Sequence, residues 1–143
     1  MTDPASASII VHGAVAQTAA FTRRDLGELQ GVHDMGSVAD GKVGRGVRLS
    51  ELLDAARPAP RATHVTAISS DGRYRASIPI PDAEASGWIA FAVESEALPS
   101  EHGGPFRLTV ADGRTLCWNV KDLAELKLTV GPEPDDVPER PPH

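Results

Sequence analysis

This 143-residue chain is short of several things, and each shortage excludes a class of protein. It has one cysteine, so no intramolecular disulfide framework exists, and the expectation is a reducing compartment. Aromatic residues make up only 4% of the chain, so aliphatic side chains must fill most of the core. Basic residues are outnumbered, 14 Lys and Arg against 20 Asp and Glu, and the formal net charge is −6. That balance argues against a nucleic-acid surface, and the cations are too dispersed for a polybasic membrane patch. No apolar run approaches the ~20 residues that span a bilayer. The start, MTDPASAS, lacks the charged and apolar regions of a signal peptide. These features together predict a cytoplasmic domain with neither nucleic-acid nor membrane partners. Hydrolytic signatures are missing as well: there is no Gly-x-Ser-x-Gly, P-loop or His-Glu-x-x-His.

What the chain does have is punctuation that divides it cleanly. Residues 1–8 read as a flexible tail, 9–130 as one α+β domain, and 131–143, PEPDDVPERPPH after a glycine, as a disordered proline-rich acidic tail. Ile9 to Val15 predicts a first strand. Thr22, with Asp25 at the third position, predicts a capped short helix with Leu26 and Leu29 facing inward. The stretch from His33 to Val43 reads as a loop or broken hairpin. Ser50 is the expected cap of a second helix whose Leu49, Leu52, Leu53 and Ala56 share a face. Val65 and Ala67, then Tyr74, Ala76, Ile78 and Ile80, alternate about Asp71-Gly72 and predict a hairpin. Pro79 marks an edge or an end. Pro81 to Ser86 reads as a helical turn. Trp88 to Val93 is almost continuously apolar and predicts a central buried strand. Leu123, Leu126, Leu128 and Val130 predict the last strand.

Between these last two strands lies the most informative stretch, LPSEHGGPFRLTVADGRTLCWNVK, from Leu98 to Lys121. Gly103 and Gly104 predict positive φ, and Pro105 fixes the approach to a strand. Phe106, Leu108 and Val110 fall on one face of that strand and Arg107 on the other. Asp112-Gly113 is a tight-turn signal, after which the chain returns to Lys121. Two cations and a histidine beside glycine-rich backbone suit an anionic ligand.

The order of these pieces resembles the molybdopterin-binding domain of the sulfite oxidase type. Leu98-Pro99, His102-Gly103-Gly104-Pro105-Phe106-Arg107, the apolar strand to Val110 and Val120-Lys121 are similar to that family's segment. So are Val11 to Val15, Phe21 to Leu26, Gly46-Val47-Arg48-Leu49 through Leu53, and Ser70 to Tyr74. The resemblance implies mixed β-sheets with a few short helices, and molybdopterin as cofactor. It implies a stand-alone oxidoreductase-type domain in which Arg107 and Lys121 contact phosphate and pterin, His102 donates to the same anion, and Arg45 faces the pocket. Each has a plainer reading: an exposed strand cation, a lysine paired with Asp122, a solvated turn histidine and a surface arginine. Catalytic members of the family ligate molybdenum through a cysteine between the first helix and the Gly-Val motif. Here Gly31 to Val43 holds none, and Gly44-Arg45 stand where a tryptophan is usual. Cys117 lies at the wrong place in the pattern. His33 and Asp34 with no third ligand make a weak metal site. Redox activity through cysteine-ligated molybdenum is therefore not expected. The alternative is a non-catalytic module that binds a small anion or a protein partner.

Overall fold

A computed structural model describes residues 7–29, 32–38, 44–94, 96–110 and 118–133. The Asp112-Gly113 turn, Cys117 and most of both tails lie outside these residues. The strands form two five-stranded sheets. The first joins β2 (Ala19–Thr22), β1 (Ser8–Gly13), β10 (Leu123–Thr129), β5 (His64–Ser69) and β6 (Arg75–Pro79), in that order. The second runs from β3 (His33–Asp34) through β4 (Arg45–Arg48) to β7 (Gly87–Val93). Beyond β7, β8 (Glu96–Ala97) and β9 (Arg107–Val110) pair with different stretches of that strand. Among the described residues there are also four short helices: α1 (Arg23–Gly27), α2 (Met35–Val38), α3 (Leu49–Ala56) and α4 (Ile80–Ser86).

One hydrophobic core joins both sheets. Ile9 and Val11 point into it from β1 while Ile10, between them, is 40% exposed, the period-2 alternation of a strand with one buried face. Leu49, Leu52, Leu53 and Ala56 seal it as the buried stripe of α3. β7 is buried along nearly its whole length because it is covered on both faces. Ile89 and Phe91 enter the main core; Trp88 and Ala90 meet Met35 and Leu98 in a second cluster. This accounts for the unbroken apolar run in the sequence.

The capping box at Thr22 is present: its hydroxyl accepts from Asp25 N at 3.2 Å, and the Asp25 carboxylate accepts from Thr22 N at 2.9 Å. The hairpin about Asp71-Gly72 is present too, with Pro79 ending an edge strand. Other expectations need correction. The second helix begins at Leu49, and Arg48 caps it with no side-chain bond, because β4 runs straight into the helix and Leu49 is needed in the core. The His33–Val43 stretch contains a two-residue strand paired with β4, followed by α2. Val130 is 61% exposed and lies beyond β10. A register irregularity between Leu123 and Glu125 explains the spacing there: it carries the inward set from Leu123 to Leu126 and then Leu128.

The hairpin turn is held by Asp71, whose Oδ1 accepts from Arg73 N at 2.9 Å and from Ser69 Oγ at 2.8 Å. The Arg73 backbone bond, with the Ser69 bond second, holds this carboxyl below its ordinary value. A depressed carboxyl contributes stability above its unfolded pKa of about 3.9 and loses it as pH falls through the lower folded value. Thermal melts taken from pH ~5 down to pH ~2 are therefore expected to show a shallower acid decline for Asp71→Asn than for the wild type. Superimposable declines would show that this turn does not contribute.

Candidate functional site

The site begins with the backbone that brings two cations together. After Leu98-Pro99, a single 3-10 turn over Ser100–His102 ends at Gly103, whose φ is +85°. Gly104 does something else. Its φ is not positive, but an added Cβ would stand 1.7 Å from the Leu98 carbonyl oxygen, so this position allows two backbone segments to touch. Of the two expected positive-φ glycines, only Gly103 has one. The Gly104-Pro105 peptide is cis.

From this corner β9 runs out with Phe106, Leu108 and Val110 buried in the core, which leaves Arg107 and Thr109 on the other face. Leu108 and Val120 exchange backbone hydrogen bonds of 2.8 and 3.0 Å as an antiparallel bridge. That register sets Arg107 opposite Lys121 and Thr109 opposite Asn119. Gly103 confirms the approach, for a Cβ there would meet Arg107 Cδ and Lys121 Cγ, each at 3.0 Å. The chain is pinned before Lys121 by the Val120–Leu108 bonds and after it, where Asp122 N donates to Gly103 O and Leu123 N to Phe106 O, both at 2.8 Å.

Among the described residues no carboxylate pairs with the charges in this corner. Arg107 Nη1 reaches only the His102 carbonyl, at 3.3 Å, and its Nε is buried with no hydrogen-bond partner. None of the ion pairs among the described residues uses Arg107 or Lys121. Asp122, the plainest neighbour for Lys121, instead accepts a hydrogen bond from Ser70 Oγ. Beside the corner, Tyr74, Asn119 and Lys121 line a depression of about 290 Å³.

Of the residues singled out in the sequence, Arg107 and Lys121 come together. His102 is exposed on the 3-10 turn, adjoining Arg107 through its carbonyl. Arg45 lies apart from them, in a depression of about 300 Å³ shared with Arg23, Arg24 and Glu94 at the far end of β7. Three residues gather on the same face of the sheet as Arg107: Trp88, which the sequence placed only in an apolar run, His33, weighed there as a weak metal ligand, and Arg48, beside Arg45 in the Gly-Val stretch. His33 packs edge-on to Trp88 with ring centroids 5.3 Å apart, and the Arg48 guanidinium lies 5.2 Å from the Trp88 centroid. Strand register links them to the site, since Ala90 is paired with both Gly46 and Arg107. Only the pairing shows this, because Trp88 read simply as part of an apolar run. Among the described residues no group of three His, Cys, Asp or Glu is placed to hold a metal ion. No helix among them is long and apolar enough to cross a membrane.

Mixed sheets, short helices and an arginine-lysine corner beside an outward-facing depression make this an α+β domain with a cationic corner. Residues 35–136 match the oxidoreductase molybdopterin binding domain family, and the chain belongs to that family. The fold is similar to that in the crystal structure of the sulfane dehydrogenase SoxCD from Paracoccus pantotrophus. The TM-score is 0.72 and identity 22%, over 92% of this chain and 40% of that one. The chain thus spans well under half of that protein chain. No curated protein sequence matches it.

Proposed function

We propose that the Arg107-Lys121 corner binds the phosphate of a molybdopterin-type cofactor, with His102 at its rim. The observation that carries this reading is the buried, unpartnered Nε of Arg107 beside a lysine that forms no ion pair among the described residues. Burying a donor without a partner costs about 1–3 kcal/mol, a cost that a phosphate oxygen arriving there would remove. An arginine fork offers paired, charge-assisted bonds to phosphate, and a lysine adds a mobile point charge. In a chain of net charge −6 such a corner also draws anions against the general field. The residues therefore fit the anionic end of the group the family binds.

When bound, the pterin would supply the dithiolene sulfurs that hold a redox metal. This chain's own contribution is to grip and orient the phosphate, and to keep the adjoining strands fixed through the bonds on either side of Lys121. The interval between Leu29 and Gly44 contains no cysteine. That favours binding without the thiolate that would complete the metal site, and makes a non-catalytic binding module the second reading.

Calorimetric titration with phosphate and with phosphate-bearing pterin tests the proposal. Arg107→Ala is expected to weaken binding by about 2 kcal/mol, roughly 30-fold, and Lys121→Ala by less. A wild-type protein that binds neither ligand at millimolar concentration would overturn it.

A further inference from the structure

Beyond β10 the chain turns back across the outward face of the first sheet. Gly131 makes the turn with φ +87°, and its N–H donates to Thr63 Oγ1 at 2.7 Å. Glu133 then lies over the sheet. Its N–H donates to Ser77 Oγ at 3.2 Å, and its carboxylate stands 2.9 Å from Lys127 Nζ. Strand register gives what lies beneath: Lys127 is paired with Thr66, Thr66 with Ser77, and Ile68 with Arg75. Lys127, Thr66 and Ser77 thus form one row on this face, and Ile68 and Arg75 belong to the next. Thr66, Ile68, Arg75, Lys127 and Glu133 line a pocket of about 80 Å³. Thr66 is only 2% exposed, and its Oγ1 is buried with no hydrogen-bond partner. A buried hydroxyl left so is costly, and here it stands beside two cations. The volume is far below the ~300 Å³ at which ligand pockets begin, so the pocket suits a small ion and excludes a ring.

We propose that this pocket is a site for a small tetrahedral dianion, with Glu133 as its built-in competitor. Oxygens of the dianion accept from the Thr66 hydroxyl and from Lys127 Nζ, and Arg75 adds a second positive charge. One lysine and one arginine match a double negative charge only when Glu133 leaves the site. Its pair with Lys127 is half-open to solvent, with 43% and 31% of the two side chains exposed, so the exchange costs little. The pocket lies on the first sheet and Arg107 in the second, so this inference does not rest on the phosphate reading above.

Sulfate, doubly charged at neutral pH, is the probe. Calorimetric titration at constant ionic strength uses the chain carrying Arg107→Ala, so that the cationic corner does not contribute. This reference chain is expected to bind one sulfate at millimolar concentration. Adding Glu133→Gln removes the competitor and is expected to tighten binding about fivefold. Adding Thr66→Val removes one charge-assisted hydrogen bond and is expected to weaken it at least about tenfold. Because that hydroxyl has no partner in the protein, Thr66→Val should melt no lower than the reference. A Thr66→Val chain that melts lower and binds sulfate as before shows that the hydroxyl serves a buried water, and overturns the proposal. Glu51→Gln on α3 makes the same charge change elsewhere and should leave the affinity unchanged. A gain there equal to that of Glu133→Gln reduces the effect to net charge and overturns the competitor role. If Thr66→Val does not fold, Lys127→Gln takes its place: lost binding supports the site, and unchanged affinity overturns it. No sulfate bound by the reference chain ends the proposal and leaves the Arg107-Lys121 corner untouched.

Discussion

Gly104→Ala is expected to be the most damaging single-methyl change in the molecule. The added Cβ would stand 1.7 Å from the Leu98 carbonyl oxygen and 2.4 Å from its carbon, and both are backbone atoms. No rotamer change can relieve such an overlap, so the Leu98-Pro99 segment or the Gly104-Pro105 corner must move bodily. Overpacking of this kind costs at least about 3 kcal/mol, and in a domain of this size that lowers the melting temperature by roughly 10 °C or more. Movement of the corner also displaces Gly103, on which the stems of Arg107 and Lys121 rest, so phosphate binding should disappear along with the stability. Thermal denaturation followed by calorimetric titration checks both. A variant that melts like the wild type would show that the two segments are not in contact.

Phe106→Ala is expected to cost about 3–5 kcal/mol, the usual range for deleting a fully buried aromatic side chain. Phe106 is 1% exposed and anchors the start of β9 in the main core, one residue before Arg107. Its carbonyl also accepts the Leu123 N bond that fixes the far side of Lys121. Its neighbour offers the informative contrast. Arg107→Ala removes a side chain that holds nothing but a 3.3 Å bond to the His102 carbonyl, and leaves a buried donor absent rather than unsatisfied. That variant should lose ligand affinity with little change in stability, while Phe106→Ala should lose stability first. Urea denaturation of the two side by side distinguishes them, and equal losses in both would contradict this division between support and site.

The contrast also shows which parts of the site could be read from the sequence. The alternation of Phe106, Leu108 and Val110 around Arg107 is local, and strand geometry alone puts Arg107 on the opposite face. The grouping of Arg107 with Lys121 was legible through a resemblance in which Val-Lys follows the arginine strand. Asn119 was not legible, because nothing in Trp118-Asn119-Val120 reveals that the amide caps Val110. The His33, Arg48 and Trp88 cluster was hidden for a related reason: it is assembled by pairing across three strands. Arg45 and Arg48 end in different surroundings, Arg45 in a depression with Arg23 and Glu94 and Arg48 over Trp88, and the register irregularity between Arg45 and Gly46 could not be read from the sequence. The fold divides the same way. The Thr22 capping box and the Asp71 hairpin are short-range and were visible, whereas the pairing of β1 with β10 joins residues as far apart as Ile10 and Glu125.

That pairing has a consequence for the order of events during synthesis. β10 lies between β1, to which it is parallel, and β5, to which it is antiparallel, so the last-made strand of the first sheet as described is its middle. Until Thr129 has left the ribosome, β1 with β2 and β5 with β6 are two separate hairpins, each with an unpaired edge. Until β10 is made, Ile9 and Val11 on one side and Val65 and Ala67 on the other lack the strand that joins them in one core. A nascent chain arrested before Leu123 should therefore be protease-sensitive and chaperone-bound, and one released past Thr129 resistant.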